Sequence, residues 1–316
     1  MKCLITDEVY EGIAEALKDE LELTVTGGMP LSHEELLDRI GEYDILIMRV
    51  FPNIDRVILD AAKNLKMICV CAVGTNHIDM DYAKEKGILV RNATGLNANA
   101  VAELTITMML NMSRDTIAAD LDVKVHHNWD KYAFMGRELR GKTLGLLGFG
   151  QIGHRVAELA KAFQMDIVAF DPNLSPEHFE AAGVRGMSVE EILPIADFIS
   201  IHVPLTPRTK HMFNRETISK MKDGAVLLNM SRGGIVCEED MYEALQEGRI
   251  GGYAADVMEY EVDHPGVILD DSLRSPLFEC ENFLVTPHIG AETKDAARDI
   301  GVYIIKVVKE FLSIPQ

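Results

Sequence analysis

The chain has 316 residues, of which 47% are hydrophobic and 26% are charged, and 31 Lys and Arg stand against 50 Asp and Glu for a net charge of −19. This length corresponds to about two domains, and the composition excludes disordered and collagen-like chains. The negative charge argues against binding to nucleic acid or to an anionic membrane, although a few arginines in a cleft would still admit a small anionic substrate.

The sequence also lacks the marks of secretion and membrane insertion. No apolar run reaches the roughly 20 residues that a membrane-spanning helix needs, and residues 1–7 predict a first strand rather than a signal peptide. The five cysteines are an odd number, and Cys69 and Cys71 alternate in an apolar run without metal-ligand spacing. We therefore expect buried thiols, no metal site and a cytosolic, cytoplasmic location.

Two series of short apolar runs alternate with amphipathic ones, a rhythm typical of βαβ units in a parallel sheet. In the first series we predict strands at 2–6, 45–48, 67–72 and 88–91 and helices at 54–64 and 80–86. In the second series, which begins at Gly141, we predict strands at 166–170, 198–203, 225–229, 253–256 and 283–286. Helices are predicted there at 152–164 and 238–246, and a last one at 293–312.

Between the two series, apolar residues recur at helical spacing from Val101 to Met112 and onward through Leu121 towards Trp129. This spacing predicts one long helix. It fits a bridge between domains, a contact between copies of the chain, or a long core helix, and the sequence leaves these open. The methionines along it are expected to fill the core.

These elements predict an α/β protein with two Rossmann-like, doubly wound parallel-sheet domains. The first domain is discontinuous and comprises residues 1–97 with 290–316, so that the C-terminal helix completes it. The second domain comprises residues 98–289.

The second domain carries the spacing G-x-G-x-x-G at Gly148, Gly150 and Gly153, directly after an apolar strand and at the start of a helix. In that context the glycines permit a tight turn, a close approach to a pyrophosphate and close packing of helix on strand. Asp171 follows 18 residues after Gly153, at the end of the next strand, where a carboxylate would bind a ribose 2′-hydroxyl and repel a 2′-phosphate. The pattern predicts an NAD-binding domain, with NAD favoured over NADP.

Three polar residues follow predicted strands of this domain, where ligands of open α/β sheets bind. They are Arg232, Glu261 and His288, and each alone could be structural. Together they suit hydride transfer to a ketone. A His titrating near neutrality donates the proton, a carboxylate raises its pKa, and an arginine binds a substrate carboxylate.

Seven ordered segments then identify the chain, over nearly its whole length, as similar to the D-isomer-specific 2-hydroxyacid dehydrogenases. Besides the glycine-rich loop, they are residues 73–79, 97–104, 136–142, 202–209, 229–236 and 286–291. The resemblance implies a catalytic triad of Arg232, Glu261 and His288. It also implies cofactor contacts at Gln151, Ile152, Asp171, Val203, Pro204 and Asp256.

On the first domain, the resemblance implies a loop for the substrate carboxylate around Val73 and Gly74. Arg49 aligns with a substrate-side arginine of phosphoglycerate dehydrogenases, and an exposed or ion-paired strand-end residue is the other interpretation. The family resemblance further implies a small 2-keto or 2-hydroxy acid as substrate, a closing cleft and a homodimer.

The branch of the family stays open. Residues 136–142 and the loop at 75–79 resemble phosphoglycerate dehydrogenases, but Val50 and Val70 replace a usual Ser and Arg. The long segment 262–278, which could form a lid, resembles the D-lactate branch, whose aromatic pair after the His is absent here.

Two alternatives accompany the dehydrogenase interpretation. The family includes co-repressors, so a non-catalytic NAD(H)-sensing protein is one, and an oxidoreductase with formate or phosphite as donor is the other. His77, His126 and His127 are expected to be surface residues without a role in the reaction.

Overall fold

The computed structural model describes residues 1–6, 10, 12–19, 21, 23–27, 30–263 and 273–313. They divide into two compact units. Unit 1 contains the described residues of 1–97 and of 292–313, and unit 2 contains those of 98–291. The boundary near the C-terminus therefore lies two residues after the one expected from the sequence.

The strands of the described chain are β1 (Lys2–Ile5), β2 (Thr24–Gly27), β3 (Ile45–Met48), β4 (Met67–Val70), β5 (Leu89–Asn92), β6 (Thr143–Leu147), β7 (Asp166–Phe170), β8 (Arg185–Gly186), β9 (Phe198–Ile201), β10 (Val226–Asn229), β11 (Gly252–Ala255) and β12 (Phe283–Val285). The α-helices are α1 (Ile13–Asp19), α2 (His33–Arg39), α3 (Arg56–Ala61), α4 (Met80–Glu85), α5 (Ala98–Arg114), α6 (Thr116–His126), α7 (Gln151–Ala162), α8 (Pro176–Ala181), α9 (Val189–Ile192), α10 (Arg215–Ser219), α11 (Glu238–Gln246), α12 (Tyr260–Asp263) and α13 (Lys294–Leu312).

Unit 1 contains a five-stranded parallel sheet in the order β2-β1-β3-β4-β5. Strands β3 and β4 are buried at every position, as expected for inner strands whose two faces are both covered. The apolar side of α13 packs into the same core through Ile300, Ile304 and Val308, together with Ile13 of α1. The C-terminal helix therefore completes unit 1, as the sequence predicted.

Unit 2 contains a seven-stranded parallel sheet in the order β12-β11-β10-β9-β6-β7-β8. The chain runs outward from β6 through β7 to β8, then returns to place β9 on the other side of β6 and continues to β12. The strand order thus reverses between β6 and β9, and ligands of such sheets bind at this switch point, beyond the carboxyl ends of the strands. The predicted doubly wound α/β fold is confirmed for both units.

The prediction of one long helix after residue 97 is wrong. Helix α5 ends at Arg114, Asp115 adopts a left-handed conformation with φ 49°, and α6 begins at Thr116. The Asn111 side chain explains the break, because its Oδ1 accepts hydrogen bonds from the Thr116 hydroxyl at 2.8 Å and from the Ile117 amide at 3.1 Å. Helix α5 is a core helix, with Met108 2% exposed, whereas α6 contains no buried residue.

Strands β2 and β8 were not predicted from the sequence. The edge strand β2 has no buried position, so its sequence contains no apolar run, and β8 has only two residues, too few to form a pattern. His77 is half-buried rather than fully exposed, and its Nε2 is buried without a hydrogen-bond partner among the described residues. Cys69 and Cys71 are buried thiols, as predicted.

Candidate active site

The glycine-rich loop between β6 and α7 is as compact as glycine allows. Gly148 has φ 94°, and a Cβ there would lie 2.6 Å from the His202 carbonyl oxygen. A Cβ on Gly153 would overlap the Gly148 carbonyl oxygen, whereas a Cβ on Gly150 would meet nothing within 4 Å. The turn is therefore close-packed at Gly148 and Gly153, while open space lies beside Gly150 at the N-terminus of α7. This is the arrangement that binds a pyrophosphate.

Asp171 follows β7 and is tied to this loop. Its Oδ2 accepts a hydrogen bond from the Phe149 amide at 3.0 Å, and its Oδ1 accepts one from the Asn173 amide at 3.0 Å. Each carboxylate oxygen retains a second lone pair, so the side chain can still accept a hydroxyl hydrogen of a ribose. The loop and Asp171 together fit a dinucleotide.

The other predicted cofactor contacts in this part of unit 2 border the switch point. Gln151 and Ile152 form the first turn of α7, while Val203 and Pro204 follow β9, the neighbour of β6. The Ser231 hydroxyl donates a hydrogen bond to the Val203 carbonyl and holds this strand end. Their contact with a cofactor stays a prediction.

Asp256, at the end of β11, anchors the turn that carries His288. It is 3% exposed and accepts hydrogen bonds from the Thr286 hydroxyl at 2.5 Å, the Ile289 amide at 2.8 Å and the Gly290 amide at 2.7 Å. Burial raises the pKa of Asp256, and these hydrogen bonds oppose the rise. The sequence suggested a cofactor contact here but did not reveal this anchoring role.

The three predicted triad residues follow three adjacent strands. Arg232 comes after β10, Glu261 lies in α12 after β11, and His288 comes after β12. The Oε2 atom of Glu261 and the Nδ1 atom of His288 are 2.5 Å apart. Since the strands are parallel, their carboxyl ends meet at one edge of the sheet, and this edge brings the carboxylate and the imidazole together.

The charges around His288 favour its protonated form. Burial alone would lower the pKa of His288, but the hydrogen bond and charge of Glu261, together with the charge of Asp256, raise it above its ordinary value against a smaller opposing effect of Arg232. Burial lowers the pKa of Arg232, and the charge of Glu261 partly compensates; a guanidinium still remains charged at neutral pH.

The turn after β10 fixes the backbone of Arg232. The Asn229 side chain donates a hydrogen bond to the Arg232 carbonyl at 2.8 Å, and Nη1 of Arg232 donates one to the Ser231 carbonyl at 2.7 Å. A guanidinium has five N–H donors, so this single bond leaves donors with which Arg232 can bind an anion.

In unit 1, the candidate substrate residues also follow strands. Arg49 comes after β3 and forms an ion pair with Glu292, while its guanidinium lies 5.4 Å from the centre of the Tyr10 ring. The Val73 carbonyl accepts a hydrogen bond from the Asn92 side chain at 2.6 Å, and the adjoining Gly74 is half-buried. The geometry thus shows Arg49 in an ion pair, and contact of Arg49, Val73 and Gly74 with substrate stays a prediction.

Three further points concern the lid hypothesis, metal binding and membrane insertion. The segment 262–278, for which the sequence suggested a lid, lies mostly outside the described residues. Within the described part of the chain, no group of three His, Cys, Asp or Glu side chains is arranged to hold a metal ion. The same residues include no helix long and apolar enough to cross a membrane.

The fold and the glycine-rich loop define an NAD-binding domain of the doubly wound type. Residues 106–290 match the family model described as "D-isomer specific 2-hydroxyacid dehydrogenase, NAD binding domain". The chain therefore belongs to the D-isomer specific 2-hydroxyacid dehydrogenase family, as its sequence segments indicated, and the prediction of NAD as cofactor is confirmed.

Relatives within the family carry different names. The chain is 42% identical to a hydroxypyruvate reductase of Thermotoga maritima, over 93% of this chain and 92% of the relative. It is 39% identical to a D-3-phosphoglycerate dehydrogenase of Methanocaldococcus jannaschii, over 99% of this chain but only 57% of the relative, so it spans little more than half of that protein. A crystal structure of Aquifex aeolicus D-lactate dehydrogenase, complexed with NAD and lactic acid, has a TM-score of 0.83 and 31% identity, covering 98% of this chain and 95% of that one.

Proposed function

We propose that this protein is an NAD-dependent oxidoreductase that interconverts a small 2-keto acid and its D-2-hydroxy acid. The observation that carries the proposal is the 2.5 Å hydrogen bond between Glu261 and His288 at the strand edge that also presents Arg232. Family membership and the fit of the glycine-rich loop to a dinucleotide support it. The proposal assigns Arg232, Glu261 and His288 to the reaction.

When bound, NADH supplies the hydride that reduces the carbonyl carbon. In the protonated form of His288, Nδ1–H donates to Glu261, which leaves Nε2–H to protonate the carbonyl oxygen. The imidazole that results is neutral and keeps its proton on Nδ1, where the N–H still donates a hydrogen bond to Glu261. Arg232 binds the substrate carboxylate through guanidinium donors that Ser231 does not use, and so orients the carbonyl. In the oxidation direction, neutral His288 accepts the hydroxyl proton.

For unit 1, we propose that Val73 and Gly74 bind substrate through their backbone. Arg49 is already neutralised by Glu292, which disfavours a phosphate dianion at this arginine. We therefore propose a non-phosphorylated 2-keto acid of the hydroxypyruvate type as substrate. The hydroxypyruvate reductase named above, which matches this chain over nearly its whole length, supports this choice over phosphohydroxypyruvate.

We also propose that the protein forms a homodimer through α6. This helix has no buried residue and exposes Ile117, Leu121 and Val125, followed by Trp129, which is 86% exposed. Ile117, Leu121 and Val125 recur every four residues and so lie along one face of α6, and an exposed apolar face of this kind marks an interaction site. Light scattering should give twice the mass of 35.1 kDa, and Leu121→Asp should give a monomer.

The function is tested by initial rates of NADH oxidation with pyruvate, hydroxypyruvate, phosphohydroxypyruvate, glyoxylate and branched-chain keto acids. We expect turnover of hydroxypyruvate that His288→Ala reduces by a factor of about 10² or more, the usual contribution of a general acid. NADH binding without turnover of any keto acid would contradict the proposal. Equal rates for the wild type and His288→Ala would contradict the assignment of the proton donor.

A further inference from the structure

Two further carboxylates join the start of α11 to the segment that carries Glu261. Oε1 of Glu238, the first residue of α11, accepts a hydrogen bond from the Glu259 amide at 2.5 Å. In return, Oε2 of Glu259 accepts one from the Glu238 amide at 3.5 Å. Each side chain is thus bonded to the backbone of the other residue, and Glu259 lies two residues before Glu261.

His211 is hydrogen-bonded both to the turn that follows Arg232 and to the residues that precede Glu261. Its Nε2 atom pairs with Oε1 of Glu259, and its amide donates a hydrogen bond to the Gly234 carbonyl at 2.9 Å, two residues after Arg232. His211 holds a left-handed backbone conformation with φ 49°, which is unfavourable for a non-glycine residue. Such a conformation persists only where the surroundings enforce it.

The two segments also pack backbone against backbone. A Cβ on Gly233 would overlap the Met258 carbonyl and would lie 2.6 Å from the Glu259 amide nitrogen. The Met258 amide in turn donates a hydrogen bond to Oε1 of Glu261 at 2.8 Å. A shift of residues 258–259 would therefore move the carboxylate of Glu261 as well as the turn beside Arg232.

We infer that Glu238, Glu259 and His211 form a positioning network, which fixes the Glu261 carboxylate against His288. This inference rests on the function proposed above, and it assigns roles that the sequence did not suggest. None of the three acts on substrate; they hold the backbone from which Glu261 reaches its partner. Ser275 adds a hydrogen bond from its hydroxyl to Oε2 of Glu238 at 3.4 Å.

The first test compares two substitutions of Glu238 with a control. Glu238→Ala removes the acceptor of the Glu259 amide, whereas Glu238→Gln keeps an acceptor and removes the charge. We expect Glu238→Ala to lower kcat with hydroxypyruvate by up to about 100-fold, the order of loss when a catalytic group is misplaced by about 1 Å, with the KM for NADH unchanged. Glu238→Gln should retain most of kcat. Glu191→Ala, which removes a similar cap of the Ser188 amide in the same unit, should leave kcat unchanged.

The second test does not depend on turnover. Histidine NMR titration of the whole protein gives the pKa of His288 among its 10 histidines, with the signal assigned by His288→Asn. Displacing Glu261 removes the interaction that raises this pKa, so Glu238→Ala should lower it, whereas Glu238→Gln should not. Equal shifts in both variants would show a charge effect and overturn the inference, as would an unchanged kcat in Glu238→Ala. An inactive wild type would instead refute the proposed function, and the NMR result would still decide on the network.

Discussion

The carboxylate of Asp256 accepts a hydrogen bond from the Gly290 amide at 2.7 Å, and a Cβ at residue 290 would lie 2.8 Å from the same carboxylate oxygen. The turn that holds His288 is thus clamped to the end of β11 by a bond that leaves no room for a side chain.

We predict that Gly290→Ala weakens this clamp. The added methyl must push Asp256 away from the turn, which should lower the free energy of unfolding by about 1–3 kcal/mol, the usual cost of overpacking. It should also reduce kcat, because His288 loses its fixed position. Urea unfolding and hydroxypyruvate reduction measure the two effects. Wild-type values of both would show that the turn does not depend on Asp256.

The pairing of Glu261 with His288 predicts opposed pH dependences for the two reaction directions. Reduction needs protonated His288 and should decline as pH rises through the His288 pKa, which lies above its ordinary value. Oxidation needs neutral His288 and should rise over the same range. Glu261→Gln removes the charge that raises this pKa, so the decline in reduction and the rise in oxidation should both move to lower pH. The test is to measure kcat/KM against pH in each direction. A change of the same direction with pH in both reactions would refute the pairing.

Substitutions of two glycines in the loop distinguish a loss of stability from a loss of cofactor binding. A Cβ on Gly150 meets nothing within 4 Å, whereas one on Gly153 overlaps the Gly148 carbonyl. Gly150→Ala should therefore keep the wild-type unfolding free energy and still weaken NADH binding, because its methyl occupies the space that a pyrophosphate needs. Gly153→Ala should lose both stability and binding. Calorimetry with NADH decides, and wild-type affinity in Gly150→Ala would refute the assigned phosphate site.

Much of this architecture was predictable because the relevant signals are local. An apolar strand followed by G-x-G-x-x-G and a helix determines the turn at 148–153. Residues that directly follow strands, such as Arg232 and His288, must lie at one edge once the strands are known to be parallel and adjacent. Helix α11 was predicted with the same ends that the structure shows, 238 and 246.

What the sequence could not reveal depends on contacts between distant residues. Asn111 ends the long helix through side-chain hydrogen bonds, and the spacing of apolar residues in the sequence gives no sign of them. The acidic stretch at 259–261 gave no sign that Glu259 would pair with Glu238 and His211, since those partners lie 21 and 48 residues away. The same holds for Arg49 and Glu292, which are 243 residues apart.

That ion pair predicts how substrate choice can be changed. Glu292→Gln removes the carboxylate that neutralises Arg49, so the guanidinium becomes available to a phosphate dianion. We expect kcat/KM for phosphohydroxypyruvate relative to hydroxypyruvate to rise by about tenfold, equivalent to one charge-assisted hydrogen bond of about 1.4 kcal/mol. The double variant Arg49→Gln with Glu292→Gln should show no gain. A wild type that prefers phosphohydroxypyruvate would refute the proposed substrate while leaving the reaction class intact.

The partly buried His77 predicts a loss of stability in mild acid. Burial lowers the pKa of His77 to about 4 in the folded protein, whereas an unfolded chain titrates near 6.5. The unfolded state therefore binds a proton first, and the free energy of unfolding falls as pH drops from about 6.5 to 4, by up to about 3 kcal/mol. His77→Asn should flatten this decline, and His126→Asn, which replaces an exposed histidine, should not. Urea unfolding between about pH 7 and pH 5 makes the comparison, and equal slopes in all three proteins would exclude His77 as the source.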